Sequence, residues 1–335
     1  MSKRAFAAAA AVVVAAGSAI AGVQTVGIDN QNIFGHFYGV SIFRVANDLL
    51  PVGPQLQPEG MVFHDGVLYV SGDGGAVSTP SEANGYIAAY PMGNIGSMPT
   101  PVGQFAVSGR AIGPEGIAIN TRGSGYGSFS GSTPNFVAVD NAGGSVGRIL
   151  GVLNPAGPSV DDIQSGFLNT DDIAFVPGAT AADDRFAIID GGSIPPSLKW
   201  YDTGATPSLL TGGFNLVPQA KGLLFLPASD AALFSPNATG DALLVAVSPD
   251  FAGDTNKLLL YSLDGALLDT AILPSGTGPG LLGNIEALAF DPVARRLFIG
   301  DETGGNSQIA VLTIPSPGAA GLLSLGLLAS LRRRR

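Results

Sequence analysis

The body of the chain is written in short apolar runs of alternating character, each closed within a few residues by glycine, proline, asparagine or aspartate. Alternation of period two puts successive side chains on opposite faces of a strand, and the dense turn residues keep every strand short. Between residues 26 and 314 no stretch carries a convincing amphipathic helical period, so the pattern predicts an all-β body.

The runs recur. "PEGMVF…YVSGD", "PEGIAI…FVAVD", "TDDIAF…FAIID", "AKGLLF…LVAVS" and "IEALAF…LFIGD" are copies of one pattern, with first runs starting near residues 58, 114, 170, 220 and 285. A spacing of 50 to 65 residues lies within the range for propeller blades once loop insertions are allowed. Each copy holds two β-rich runs joined by a turn, such as "HDG" at His64–Gly66 or "DPVARR" at Asp291–Arg296. A third run often follows ("GYIAAYP", "VGRILGV", "LKWYDT", "KLLLYSLDG", "SQIAVLTIP"), and a fourth is visible in places, as in "PVGQFAV" and "ALLDTAIL". Four antiparallel strands per unit and no helix predict a β-propeller, with a solenoid or sandwich as the competing fold. The count is five blades, or six if Val26 to Leu50 forms more than one strand. "FYGVSIFRVANDLLPVG", ahead of the first copy, is expected to supply the outer strand that the last copy lacks.

An acid opens most copies and another ends the second run. In an antiparallel pair the start of one strand lies beside the end of the next. The pattern therefore pairs Glu59 with Asp73, Glu115 with Asp140, Asp171 with Asp190 and Glu286 with Asp301. First strands of a propeller line its channel, so these eight carboxylates should converge at one mouth and repel. A cation relieves that repulsion, and an all-oxygen donor set suits Ca²⁺ better than zinc. Alternatively, each acid fixes its own blade by accepting backbone N–H groups near the strand start. The fourth copy departs twice, with Lys221 in the acid position and Ser248 in place of the second aspartate. An ammonium there neutralises neighbours or meets an anionic ligand.

"GPEGIAIN" and "NIEALAFDPVARRLFIGDE" resemble the phytase-like and esterase-like-of-phytase propellers, and also SdiA-regulated and gluconolactonase-type propellers. The resemblance implies a divalent metal, often Ca²⁺, held at the channel mouth by strand-start glutamates, here Glu59, Glu115 and Glu286. The basic phosphate-gripping cluster of true phytases has no counterpart, since only Lys221 stands in the ring.

The two ends of the chain read as targeting devices. Lys3 and Arg4 precede an apolar run that closes on Ala19-Ile20-Ala21, the small-x-small pattern of a signal peptidase site, so residues 1–21 are expected to be a signal peptide. An N-terminal membrane anchor is the competing reading. Residues 315–335 combine Pro-Ser-Pro, a short apolar run and four arginines. The run from Ala319 to Leu331 is too short to span a bilayer stably, and the arginines would hold its end on the cytoplasmic side. This tail resembles the PEP-CTERM sorting signal, with Ser316 where the motif has glutamate. The resemblance implies signal peptidase and an exosortase-like enzyme as partners, transient membrane contact through the tail, and export to the envelope or outer surface of a Gram-negative-type bacterium.

Composition narrows the chemistry. With no cysteine there is no disulfide and no thiolate metal site. A net charge of −10 disfavours nucleic acid and anionic membrane surfaces as partners. The only histidines are His36 and His64, and no Gly-x-Ser-x-Gly occurs, which weighs against a serine–histidine triad. "GPGLLG" at Gly278–Gly283 precedes a strand and reads as an inter-blade loop, not a dinucleotide fingerprint. Two functions remain. One is a metal-stabilised binding or envelope-associated propeller, favoured by the scarcity of histidine and ring cations. The other is a metal-dependent hydrolase of esters, lactones or phosphoesters at the acidic mouth, which a metal-activated water would allow.

Overall fold

The computed structural model describes residues 26–33, 36–44, 58–72, 86–91, 100–104, 114–122, 136–140, 147–153, 159–167, 169–192, 194–204, 207–249, 255–273, 275, 282–302 and 308–314. The expected signal peptide and sorting tail, and with them Asp73, lie outside the described residues.

Strands β1 (Val26–Ile33) and β2 (His36–Arg44) form a hairpin. The first copy of the repeat gives β3 (Gly60–His64), β4 (Val67–Gly72), β5 (Tyr86–Pro91) and β6 (Thr100–Gln104). The second gives β7 (Pro114–Ala118), β8 (Phe136–Asp140), β9 (Gly147–Leu153) and β10 (Ser159–Phe167). The third gives β11 (Thr170–Val176), β12 (Arg185–Asp190), β13 (Ser197–Asp202) and the two-residue β14 (Phe214–Asn215). The fourth gives β15 (Ala220–Leu226), helix α1 (Ala228–Phe234), β16 (Ala242–Val247), β17 (Lys257–Ser262) and β18 (Leu267–Ile272). The fifth gives β19 (Ile285–Asp291), β20 (Arg296–Asp301) and β21 (Gln308–Thr313).

Four of these sets are antiparallel meanders of four strands in simple order. The fifth sheet runs β1-β2-β21-β20-β19, so the N-terminal hairpin completes the last copy. Val26 to Arg44 supplies two strands, and both join that sheet, with Ser41 opposite Val311. The first strands touch in sequence, β3 to β7, β7 to β11, β11 to β15, β15 to β19, and β19 again to β3.

Local chemistry explains the turns. Asp65 and Gly66 link β3 to β4 with positive φ at both positions (48° and 78°), the conformation that matches a two-residue hairpin to strand twist. Between β19 and β20 the Asp291 carboxylate accepts the N–H groups of Val293 and Ala294, each at 3.0 Å, and so folds the turn on itself. Packing lies between the sheets. Met61, Leu68 and Val70 of the first sheet meet Ala287, Ala289 and Phe298 of the last, and Ala174, Val176 and Trp200 of the third meet Leu223, Leu243 and Val245 of the fourth. Trp200 is buried in β13, with the Arg185 guanidinium 3.8 Å over its ring.

Candidate metal centre at the acidic end of the first strands

In the second to fifth copies the opening ring residue sits where its strand breaks register. The pairing skips between Pro114 and Gly116, Thr170 and Ile173, Ala220 and Leu223, and Ile285 and Ala287. Glu115, Asp171, Lys221 and Glu286 therefore occupy β-bulges, which turn a side chain out of the regular alternation and toward a shared point. Glu59 stands just before β3, its N–H bonded to the Ser71 carbonyl at 3.0 Å.

The glycine after the acid has a separate cause. A Cβ on Gly60 would lie 2.6 Å from the Glu115 carbonyl oxygen and 2.7 Å from the Gly116 Cα. A Cβ on Gly116 would lie 2.6 Å from the Asp172 Cα. At Gly60 and Gly116 neighbouring first strands approach backbone to backbone, and a side chain there would have no room. Where the third copy has Asp172 instead, its carboxylate binds the Ile173 N–H at 2.8 Å and crosses to the Leu223 N–H of the next sheet at 2.6 Å. Burial pushes the Asp172 carboxyl well above its usual range, and those two N–H groups pull it partly back.

The ring residues separate into two groups. Glu59, Glu286 and Glu302 each offer a carboxylate oxygen, and the three atoms lie within 4.8 Å of one another. Two oxygens on opposite sides of one Ca²⁺ are separated by roughly 4.8 Å, so these three can share a single ion. Burial, the charges of Glu286 and Glu302 and a hydrogen bond with Glu286 hold the Glu59 carboxyl well above the ordinary 4.5. Asn284 sets the other two by donating its Nδ2 to Glu286 at 2.6 Å and to Glu302 at 3.4 Å. The Glu302 N–H in turn bonds the Asn284 carbonyl at 2.8 Å.

On the other side, Lys221 Nζ donates to Asp171 Oδ1 at 2.7 Å. Burial disfavours the Lys221 charge, but Asp171, Glu286 and Glu115 outweigh it and raise its pKa above the ordinary lysine value. Burial likewise pushes Asp171 up, and Lys221 offsets this only in part. The close ammonium contact favours the ionised pair. A cavity of about 450 Å³ opens beside them, with Asn169 and Gln219 on its wall.

The predicted strand-end neighbours are found in register. Asp140, Asp190 and Asp301 lie opposite Pro114, Thr170 and Ile285, each one residue before the opening acid. The carboxylates of Asp190 and Asp301 face the backbone entering the first strand. Asp190 accepts the Asn169 N–H at 3.2 Å and pairs with Lys199. Asp301 accepts the N–H groups of Gly283 and Asn284 at 3.0 and 2.8 Å. Ser248, their counterpart in the fourth copy, donates to the Ile285 carbonyl of the next sheet at 2.6 Å. Glu302 was not anticipated from the sequence, although it directly follows the repeated "GD" that ends β20.

The centre thus holds three convergent carboxylates beside an internally neutralised ion pair. Such an oxygen-only set fits a hard divalent cation.

No family model matches the chain, and no characterised sequence does. Solved structures match by shape. Glutaminyl cyclase from Myxococcus xanthus is 14% identical with a TM-score of 0.45, over 77% of this chain and 90% of that one. Two structures of exo-β-1,3-galactanase from Phanerochaete chrysosporium, with β-1,3-galactotriose, are 12% and 11% identical with TM-scores of 0.51 and 0.52. They align over 77% of this chain, which spans 60% and 61% of theirs. The galactanase match shows the fold: the chain is an all-β protein of propeller-like architecture.

Proposed function

We propose that the chain is an exported, surface-sorted, five-bladed β-propeller whose acidic channel mouth binds Ca²⁺ and which serves as a binding or envelope-associated protein. The convergence of Glu59, Glu286 and Glu302 carries the metal assignment. Five sheets with first strands in mutual contact support the blade number, and the two targeting patterns at the ends support export, signal peptidase and exosortase-like partners, and an envelope location. Ca²⁺ at the three glutamates would neutralise their repulsion and offer its remaining coordination positions to oxygen-bearing ligands. Asn284 would orient two of the ligands, and Lys221, close in charge to Glu286, limits the site to one divalent ion.

A metal-dependent hydrolase of phosphoesters, esters or lactones is the second reading. It is favoured by the Glu59–Glu286 hydrogen bond, at which burial and neighbouring charge hold the Glu59 carboxyl well above its ordinary range, the kind of tuning that acid–base chemistry uses.

Melting curves test the metal. Binding to the folded state alone stabilises it by about 2.7 kcal/mol at a hundredfold excess over Kd. Millimolar Ca²⁺ should raise the melting temperature, EDTA should reverse this, and Glu59→Gln should abolish the difference. A melting curve indifferent to both additions sinks the metal. A panel of general ester, lactone and phosphoester substrates separates the two readings: Ca²⁺-dependent turnover lost in Glu59→Gln would establish the enzyme.

A further inference from the structure

The opposite ends of the same five strands enclose a second cavity, of about 320 Å³. Counting four residues on from each ring position gives Phe63, Ile119, Phe175, Phe225 and Phe290, and all five residues line it. The repeat that writes an acid at one end of the first strand writes a large apolar residue, mostly phenylalanine, at the other. Among the described residues, Thr121 and Asp230 are the only ones lining it with polar side chains.

Phe63, Leu224 and Phe225 pack against the inter-sheet cores on one side only. Val62, Phe63, Leu224 and Phe225 stay half-buried while the sheets on either side are already in contact. Water in such a space finds few hydrogen-bond partners, and apolar cavities of this kind take up hydrocarbon ligands instead. The volume is at the lower end for small-molecule pockets and far too small for a peptide or protein segment. With a net charge of −10 and the carboxylates at the far end of each wall, the field disfavours an anion. Ring edges and faces repeated around the wall suit a flat aromatic guest in edge-to-face or offset contact.

We infer that this cavity is a binding site for a small uncharged aromatic molecule, separate from the acidic centre and independent of any metal there.

N-phenyl-1-naphthylamine tests this on the full chain, because the dye is neutral, aromatic and bright only in apolar surroundings. Its partner, 1-anilinonaphthalene-8-sulfonate, has the same rings plus a sulfonate. The expected result is saturable one-site binding of the neutral dye, unchanged by EDTA and at least about tenfold tighter than that of the sulfonate. Leu224→Trp, which fills the cavity from a half-buried position, should weaken the neutral dye about tenfold. Val62→Trp repeats the test from another sheet, with retained cooperative melting showing that each variant folds. Absence of saturable binding, equal affinity for the two dyes, or undiminished binding in both folded variants would overturn the site. Loss of binding in EDTA would also overturn it, by moving the ligand to the acidic end.

Discussion

The Asp171–Lys221 side and the Glu59–Glu286–Glu302 side of the acidic end begin from equivalent places in the repeat. On one side a lysine has entered the ring, and the buried Asp171 has its counter-ion 2.7 Å away. On the other, three carboxylates converge, with Asn284 donating to Glu286, and burial and their mutual charge push the Glu59 carboxyl well above its ordinary range. One side carries its own positive charge; the other must borrow one, from a proton or a cation. The proposed cation is therefore placed on the side that does not balance itself.

Breaking the balanced side should have the largest effect. Lys221→Met leaves Asp171 buried without its partner, and removing one member of a buried pair costs about 3 kcal/mol. Urea denaturation should show this loss, and the double variant with Asp171→Asn should recover most of it. Full stability in the single variant would mean that the pair contributes nothing.

The unbalanced side should reveal itself through pH. A carboxyl whose pKa is raised by folding favours the folded state at low pH, and that advantage disappears as pH climbs from 4.5 through the raised value. In chelator, melting temperature should fall as pH climbs above 4.5, and saturating Ca²⁺ should flatten the Glu59 contribution. Asp172 is raised in the same direction but contacts only backbone, so its share of the slope should survive Ca²⁺. Identical slopes with and without Ca²⁺ would dissociate Glu59 from the ion.

The smallest effect is the sharpest discriminator. Glu115 shares the opening position of its copy but not the convergent triad. Glu115→Gln should change the Ca²⁺-induced stabilisation by about 0.5 kcal/mol or less. A loss as large as that of Glu59→Gln would extend the centre around the ring.

Much of this was legible in the repeat. Period-two alternation located the first three strands of every copy, and antiparallel geometry placed Asp140, Asp190 and Asp301 next to the opening acids. Strands β10 and β14 escaped notice, because "SVDDIQSGF" is too polar and "FN" too short to announce a strand. The division of labour among the acids was also hidden. Composition cannot distinguish a carboxylate that accepts backbone N–H groups, as Asp301 does, from one aimed at its fellows, as Glu286 is. The bulge at Glu286 makes part of that difference; a glycine after the acid signals a bulge or a close backbone approach in "PEG", but "IEALA" carries none. Glu302 depends on a cross-strand contact inside the fifth copy, Asn284 with the residue after β20, and the other copies carry no acid at that place to announce it.

The last sheet has a consequence for the order of assembly. Its strands come from both ends of the described chain, and Ser41 finds Val311 only across nearly the whole polypeptide. Bringing such distant segments together is entropically slow, and the first four sheets can form before it happens. A chain growing from its N-terminus must carry β1 and β2 unpaired with β21 until β21 itself has been made. During that interval the open edges of β2 and β20 expose unpaired backbone, the surface on which strands from other chains add. The final strand is therefore a latch, and a chain cut short of it would leave the ring ajar and prone to aggregation.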